Sequence, residues 1–166
     1  MPGPETMTVT TPNDREIEIT RGFDAPRSLV FDAFTKPELL KRWGGGPPGW
    51  SMVVCEVDLR VGGAWRQVLR GPAGEEMGMG GVHREVVAPE RVVRTEVFDQ
   101  AWYAGEAVGT MVLTQHGTKT SVRITVRYDS KEVRDGVLKS PMESGMAAGF
   151  NAMAELLAEL QRGQAQ

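Results

Sequence analysis

Regularly spaced turn signals divide the middle of the chain, from Trp50 to Tyr128, into short segments of alternating apolar and polar residues. A period of two is typical of β-strands buried on one face, and the turns are too short to hold crossover helices. The sequence therefore predicts an antiparallel meander. Its six strands are Ser51 to Leu59, Ala64 to Arg70, Met77 to Val87, Arg91 to Phe98, Ala107 to Gln115 and Thr120 to Tyr128.

A further strand and two short helices are predicted before the meander. The segment REIEITRGF, residues 15 to 23, alternates like the later strands and brings the sheet to about seven strands. Apolar residues then recur at helical spacing from Pro26 to Phe34. Thr35 and Glu38 match a capping box, which predicts that a second helix starts there and ends before GGGPPG at residues 44 to 49.

The longest predicted helix closes the chain, from Ser140 to about Leu160. Ser140 precedes Pro141 as an N-cap would, and Gly163 provides a stop signal. A helix of about 22 residues is about 33 Å long, enough to cross a domain. An apolar arc about 140° wide contains Met142, Gly145, Met146, Gly149, Phe150, Met153, Leu156, Leu157 and Leu160.

Two glycines, Gly145 and Gly149, lie in this arc although each costs a helix about 1 kcal/mol relative to alanine. Burial of the large side chains of the arc outweighs that cost. A missing side chain on a buried face either lets the backbone approach a sheet or leaves a hollow. We expect this face to cover the concave side of the sheet, and both glycines to make room there.

Composition restricts the class of partner. The net charge is −3, so no basic surface for nucleic acid or anionic membranes is expected. No apolar run approaches the roughly 18 residues of a membrane span. The single cysteine, Cys55, excludes an internal disulfide, and the start of the chain lacks a secretory signal pattern, which predicts a cytoplasmic protein. One domain is expected over residues 15 to 162, between a flexible tail at 1 to 14 and a short tail at 163 to 166.

Four stretches resemble the family of homologues of the activator of the heat-shock protein ninety ATPase, within the START-like superfamily. They are APRSLVFDAFTKPELLKRW, VVCEVDLRVGGAWRQVLRGPAGEE, GVHREVVAPERVVRTEVF and the GM-x-x-G-F helix. The resemblance implies an α+β helix-grip fold, in which a curved antiparallel sheet and a long C-terminal helix enclose a cavity. Similar proteins usually carry a second tryptophan and Gly-Pro after Trp43, where this chain reads RWGGGPPGW. The eukaryotic activator also has a separate chaperone-binding domain for which this chain has no room.

Catalytic and metal-binding patterns are absent from the sequence. Cys55, His83 and His116 match neither a zinc-ligand spacing nor a nucleophile–base arrangement, and no phosphate-binding or dinucleotide fingerprint occurs. No cofactor and no metal are therefore predicted. Glu56 and Asp58 share one strand face, and we expect both to be solvated because Cys55, Val57 and Leu59 occupy the other face.

Methionines are concentrated on faces that are expected to look inward. Methionine fills irregular gaps in a core and also adapts to varied ligands, so core filling is the competing interpretation. Trp102 and Tyr103 are interpreted either as a lid or as an exposed loop pair. The candidate cavity lining comprises Trp43, Trp65, Gln67, Leu69, Met77, Met79, His83, Met111, Leu113, Met146, Phe150 and Met153.

These observations predict non-catalytic binding of a small hydrophobic or aromatic ligand between the sheet and the C-terminal helix. An enzyme of cyclase or dehydratase type is an alternative and would need His83, Glu85 or another polar group inside the cavity with a perturbed pKa. A chaperone-interaction module is the other alternative and would need a large exposed apolar patch or a charged docking face. A homodimer is compatible with each of these functions.

Overall fold

One antiparallel sheet of eight strands organises the computed structural model, which describes residues 6–99 and 105–164. The strands are β1 Thr8–Thr10, β2 Glu16–Phe23, β3 Ser51–Val57, β4 Ala64–Arg70, β5 Glu76–Val87, β6 Arg91–Phe98, β7 Ala107–His116 and β8 Lys119–Arg127. The helices are α1 Arg27–Thr35, α2 Pro37–Trp43, α3 Lys131–Lys139 and α4 Met142–Gln164. Strand order across the sheet is β1-β2-β8-β7-β6-β5-β4-β3. This confirms the α+β helix-grip fold.

The eighth strand, β1, lies in the segment that was expected to be a loose tail. Val9 pairs with Ile19 of β2, and the β-branched residues of TVT suit such a short edge strand. Arg134 of α3, which is buried, donates hydrogen bonds to the main-chain oxygens of Asn13 and Glu16. That anchor and the β1 pairing attach this segment to the domain.

Two predicted helix N-caps are wrong, because each hydroxyl group donates a hydrogen bond to a carbonyl oxygen of the preceding helix. Thr35 is the last residue of α1, and its hydroxyl donates to the Phe31 carbonyl oxygen at 2.8 Å. Lys36 instead occupies the N-cap of α2, without a side-chain cap. Ser140 is the C-cap of α3, and its hydroxyl donates to the Val137 carbonyl oxygen at 2.5 Å. The stop predicted at Gly163 is also wrong, because α4 continues to Gln164.

Helix α3 was not predicted. Its N-terminus is capped by Ser130, whose side-chain oxygen accepts a hydrogen bond from the Val133 amide at 3.2 Å. Only Val133 and Val137 of this helix pack against the core, and Gly136 lowers the helix propensity between them. The apolar stripe is too narrow to identify the helix from the sequence.

The core occupies the half of the sheet that contains β2, β8 and β7. Inward residues of these strands pack against α1 and α4. Phe150 is central, with ring centroids 5.9 Å from Phe23, 6.1 Å from Phe34 and 6.2 Å from Trp43. The buried cluster contains Ile17, Ile19, Phe23, Val30, Leu113, Val122, Val126, Phe150, Met153 and Leu157. Because these residues fix α4 over one half of the sheet, the inner face of β3 to β6 is less completely covered.

Candidate functional site

A row of half-buried side chains crosses the inner face of four neighbouring strands. Cys55 of β3 pairs with Gln67 of β4, Gln67 pairs with Met79 of β5, and Met79 pairs with Phe98 of β6. Each of these four residues keeps part of its surface exposed. Since paired residues share a face of the sheet, the row forms a continuous surface.

A second row runs beside the first, from Met52 through Leu69 to Met77. Met52 is buried, Leu69 is half-buried and Met77 is 41% exposed. Met111 of β7 and Met146 of α4 are half-buried against the edge of the core. We define the concave groove as the inner face of β3 to β6 together with Met111 and Met146.

An ion pair lies on this largely apolar surface. The guanidinium carbon of Arg94 lies 3.7 Å from the centre of the Trp65 ring, and Arg94 Nε donates to Glu96 Oε2 at 3.3 Å. The side chains of Arg94 and Glu96 are 30% and 17% exposed. Gly109 pairs with Arg94 on β7, and a Cβ at this glycine would lie 2.6 Å from Glu96 Oε2. A side chain at this position would therefore require the Glu96 carboxylate to shift from where it meets Arg94.

His83 and Cys55, which lie on the inner face of β5 and β3, do not form a catalytic arrangement. His83 is 3% exposed, and its Nδ1 lies 3.0 Å from the Gly63 carbonyl oxygen. Burial raises the pKa of the Cys55 thiol, while the positive charges of Lys41 and Arg94 partly offset that rise. A higher pKa leaves less thiolate near neutral pH, so Cys55 is a weak nucleophile.

Several polar residues considered from the sequence lie away from the groove. Glu56 and Asp58 are exposed, and Asp58 accepts a hydrogen bond from Arg60 Nε at 2.9 Å. His116 is exposed at the end of β7. Within residues 6–99 and 105–164, no three acidic, histidine or cysteine side chains are arranged to hold a metal ion. In the same residues, no helix is long and apolar enough to cross a membrane.

The structure divides the predicted lining residues into two groups. The inner face of β3 to β6 contains Trp65, Gln67, Leu69, Met77, Met79 and His83, and Met111 and Met146 are half-buried against the core. The packed core contains Leu113, Phe150 and Met153, and Trp43 packs at its margin. Trp43 donates from Nε1 to the Ala33 carbonyl oxygen at 2.8 Å and stacks edge-on to Phe34. The predicted lid residues, Trp102 and Tyr103, lie outside the described residues.

The expected role of the two helix glycines is not supported. Gly145 is exposed, and a Cβ built on it would meet no atom within 4 Å, so the expectation that it faces the interior is wrong. A Cβ at Gly149 would lie 3.8 Å from the Trp43 ring, which is ordinary van der Waals contact. The open surface of the groove therefore arises from the half-covered sheet and not from missing helix side chains.

Arg94 and Glu96 are charged groove residues that the sequence interpretation missed. Further groove residues outside the predicted lining are Met52, Cys55 and Phe98. On β6 they share the inner face with the buried Val92, while Val93 and Val97 occupy the outer face. The charges of Arg94 and Glu96 alone would favour the solvent face for both residues. Charged residues on the inner face of a strand are a signal for a functional face, because local rules are most often broken at such sites.

Two surface depressions lie near the two edges of the sheet. One, of about 600 Å³, is near the β1–β2 edge and is lined by Arg21 of β2, Met7 and residues between Ser140 and Asn151, and the Asn151 Oδ1 accepts from Arg21 Nη1 at 3.0 Å. The other, of about 320 Å³, lies at the β3–β4 edge near Asp58 and Arg66. Trp65 is the only predicted lining residue in either depression.

Comparisons with known proteins agree with this architecture. A sequence profile described as "Activator of Hsp90 ATPase homolog 1-like protein" matches residues 24–161. A crystal structure of a Rhodobacter sphaeroides protein is similar with a TM-score of 0.87 and 29% identity, over 92% of this chain and 98% of that chain. A Mycobacterium smegmatis protein shares the fold with a TM-score of 0.82 and 24% identity, over 93% and 99% of the two chains.

A more distant structure carries a functional description. It is an HSP90 activator from Plasmodium falciparum, with a TM-score of 0.53 and 23% identity, over 68% of this chain and 72% of that chain. At this identity the likeness concerns the fold alone. No curated protein matches this chain in sequence.

Proposed function

The chain belongs to the family of Activator of Hsp90 ATPase homolog 1-like proteins, and we propose that it binds a small hydrophobic molecule in the concave groove without catalysing a reaction. The observation that carries this proposal is the row Cys55, Gln67, Met79 and Phe98, which remains half-exposed on the inner face of the sheet. A bound apolar molecule would remove this surface from water, at a gain of about 25 cal/mol per Å².

The chemistry of the groove is typical of ligand sites. Such sites are concave and mainly apolar, with a few polar groups that orient the ligand. Met79, Met111 and Met146 supply flexible apolar walls, and Gln67 and Arg94 supply the polar groups. The variety of shapes that methionines accept favours an aliphatic or aromatic ligand over a highly polar one.

A catalytic role has less support. Cyclase or dehydratase chemistry needs an acid or base that can reach the ligand. His83 is buried and held by the Gly63 carbonyl group, and Cys55 has a raised pKa. Glu85 forms an ion pair with Arg91 at 3.0 Å. The environments of His83, Cys55 and Glu85 therefore favour a site that binds a ligand without catalysing a reaction.

A chaperone-docking role also has less support from the surface. Val82 and Val97 are exposed on the outer face of β5 and β6. Ion pairs surround them, such as Arg66 with Asp99 and Arg84 with Glu106. In the described part of the chain these two valines form only a small apolar area, whereas docking sites are larger.

Binding is tested by native mass spectrometry and tryptophan-quenching titrations with a library of aromatic molecules and lipids. Met146→Trp places a bulky ring at the groove, and Ala148→Trp places the same ring at an exposed position of α4. We expect Met146→Trp to abolish binding and Ala148→Trp to leave it unchanged. Equal binding by both variants, or no ligand for the unmodified protein, would refute the proposal.

A further inference from the structure

The Arg94 side chain is fixed in position from two directions. Its guanidinium carbon lies 3.7 Å from the centre of the Trp65 ring, and its Nε atom donates to Glu96. Trp65 is itself held in place, because it is 2% exposed and its Nε1 donates to the Thr95 carbonyl oxygen at 3.0 Å. The position of the guanidinium group is therefore set before any ligand arrives, which lowers the entropic cost of binding.

The outer edge of the same guanidinium group makes no hydrogen bond to any residue that the structure describes. An arginine carries five N–H donors. In the described residues, the only hydrogen bond of the Arg94 side chain is the one from Nε to Glu96. The donors on Nη1 and Nη2 remain available, on a side chain that is 30% exposed. Two parallel N–H donors in one plane match the two oxygens of a carboxylate.

The surroundings of Arg94 are apolar in the direction of the groove. Trp65 begins a line of inner residues on β4 that continues through Gln67 to Leu69, a span of about 13 Å for four residue-to-residue steps along a strand. Met79 lies next to this line. A ligand that places a charged group at Arg94 therefore has an apolar surface on which to lay its body.

Glu96 explains why an unliganded arginine is tolerated there. A half-buried charge needs a partner, and Glu96 supplies one on the Nε side, in space left by Gly109. This arrangement leaves the Nη side open. Glu96 is thus a positioning residue for Arg94 and does not occupy the place of the ligand.

From these contacts we propose that the ligand is an apolar monocarboxylate, whose carboxylate pairs with Nη1 and Nη2 of Arg94 and whose body lies along Met79 and Leu69. This inference rests on the proposed function of the groove. It adds the chemical class of the ligand and the residue that selects it.

The test compares dodecanoate with methyl dodecanoate, which keeps the tail and the carbonyl group but has no charge. Isothermal titration calorimetry measures both probes on the unmodified protein and on Arg94→Gln and Glu96→Gln. We expect the unmodified protein to prefer the acid by about 10- to 100-fold, the range of a charge-assisted hydrogen-bond pair. Arg94→Gln should bind both probes equally, and Glu96→Gln, whose neutral hydrogen bond fixes the guanidinium group less well, should show a smaller preference for the acid without losing it.

The outcomes separate this inference from the proposed function. Equal affinity of the unmodified protein for acid and ester overturns the inference and leaves a hydrophobic groove. If the unmodified protein binds neither probe and no molecule of the library, the proposed function is overturned as well.

Arg94 also packs on Trp65, so Arg94→Lys is measured alongside Arg94→Gln. Lysine keeps the charge but lacks the planar pair of donors, and we expect a preference for the acid that is smaller than that of the unmodified protein. An undiminished preference in Arg94→Gln contradicts the inference. Circular dichroism shows which variants are folded, and the acid-to-ester ratio of the unmodified protein decides the question if neither variant folds.

Discussion

The guanidinium carbon of Arg94 on β6 lies 3.7 Å from the centre of the Trp65 ring on β4, on the inner face of the sheet. A cation over an aromatic ring contributes about 0.5 to 2 kcal/mol, depending on how far it is desolvated. The contact therefore adds to stability while it orients the arginine.

The first prediction concerns this stack. Arg94→Ala should lower the free energy of unfolding by about 1 to 2 kcal/mol, because it removes the stack and leaves Glu96 without its partner. Urea denaturation measures the loss. Arg66→Ala is the control, since Arg66 pairs with Asp99 at the surface and such pairs contribute about 0 to 1 kcal/mol. A loss for Arg94→Ala no greater than that for Arg66→Ala would contradict the stacked geometry.

The second prediction concerns the aromatic cluster that holds α4 on the sheet. Phe150 is 3% exposed and contacts Phe23, Phe34 and Trp43. Phe150→Ala should cost about 3 to 5 kcal/mol through the cavity that it leaves. Leu138→Ala, at an exposed position of α3, should change stability by about 0.5 kcal/mol or less. Thermal unfolding compares them, and a small loss for Phe150→Ala would argue against a core at this end of α4.

The third prediction concerns the helix glycines. Gly145→Ala should stabilise the protein by about 0.5 to 1 kcal/mol, because the new methyl group meets open space and alanine favours helix. Gly149→Ala should also be tolerated, since its Cβ would touch the Trp43 ring at an ordinary distance. Neither change should alter ligand affinity in titrations. Loss of binding on Gly145→Ala would instead support the interpretation from the sequence, in which Gly145 leaves space for the ligand.

The fourth prediction concerns Cys55. Burial raises the pKa of its thiol, so the thiolate fraction at a given pH is smaller in the folded protein than in the unfolded chain. Alkylation by iodoacetamide, followed by mass spectrometry across a pH series, should be slow near neutral pH and reach its half-maximal rate at a higher pH than in urea. Dodecanoate should slow it further, because Cys55 lies in the groove. Equal rates with and without urea would contradict the burial of this thiol.

The sequence was sufficient for most of the sheet. β4 and β6 begin and end at the predicted residues, because alternation and turn residues mark both ends of these strands. The helix caps failed for a local reason: Thr35 and Ser140 each have a carbonyl oxygen of the preceding helix within reach, and this acceptor competes with capping of the next helix. No pattern in the sequence decides that competition.

The groove was predicted only in part. Methionines and Trp65 marked the correct strands, because inward apolar positions follow from the period of two. Arg94 and Glu96 were missed because charge usually indicates the solvent face. They face inward because Val92, two residues before Arg94 on β6, is buried in the core, and side chains two residues apart on a strand share a face. Such dependence on a partner element is visible only in three dimensions.

Methionine methyl groups allow the central claim, that the concave groove is the binding site, to be tested directly. Protein labelled with ¹³C at the methionine methyls is titrated with dodecanoate and followed by NMR. We predict that the resonances of Met79, Met111 and Met146 shift, while that of Met7, in the depression near Arg21, does not. Shifts confined to Met7, or no shift at the three groove methionines, would contradict a ligand site on the inner face of the sheet.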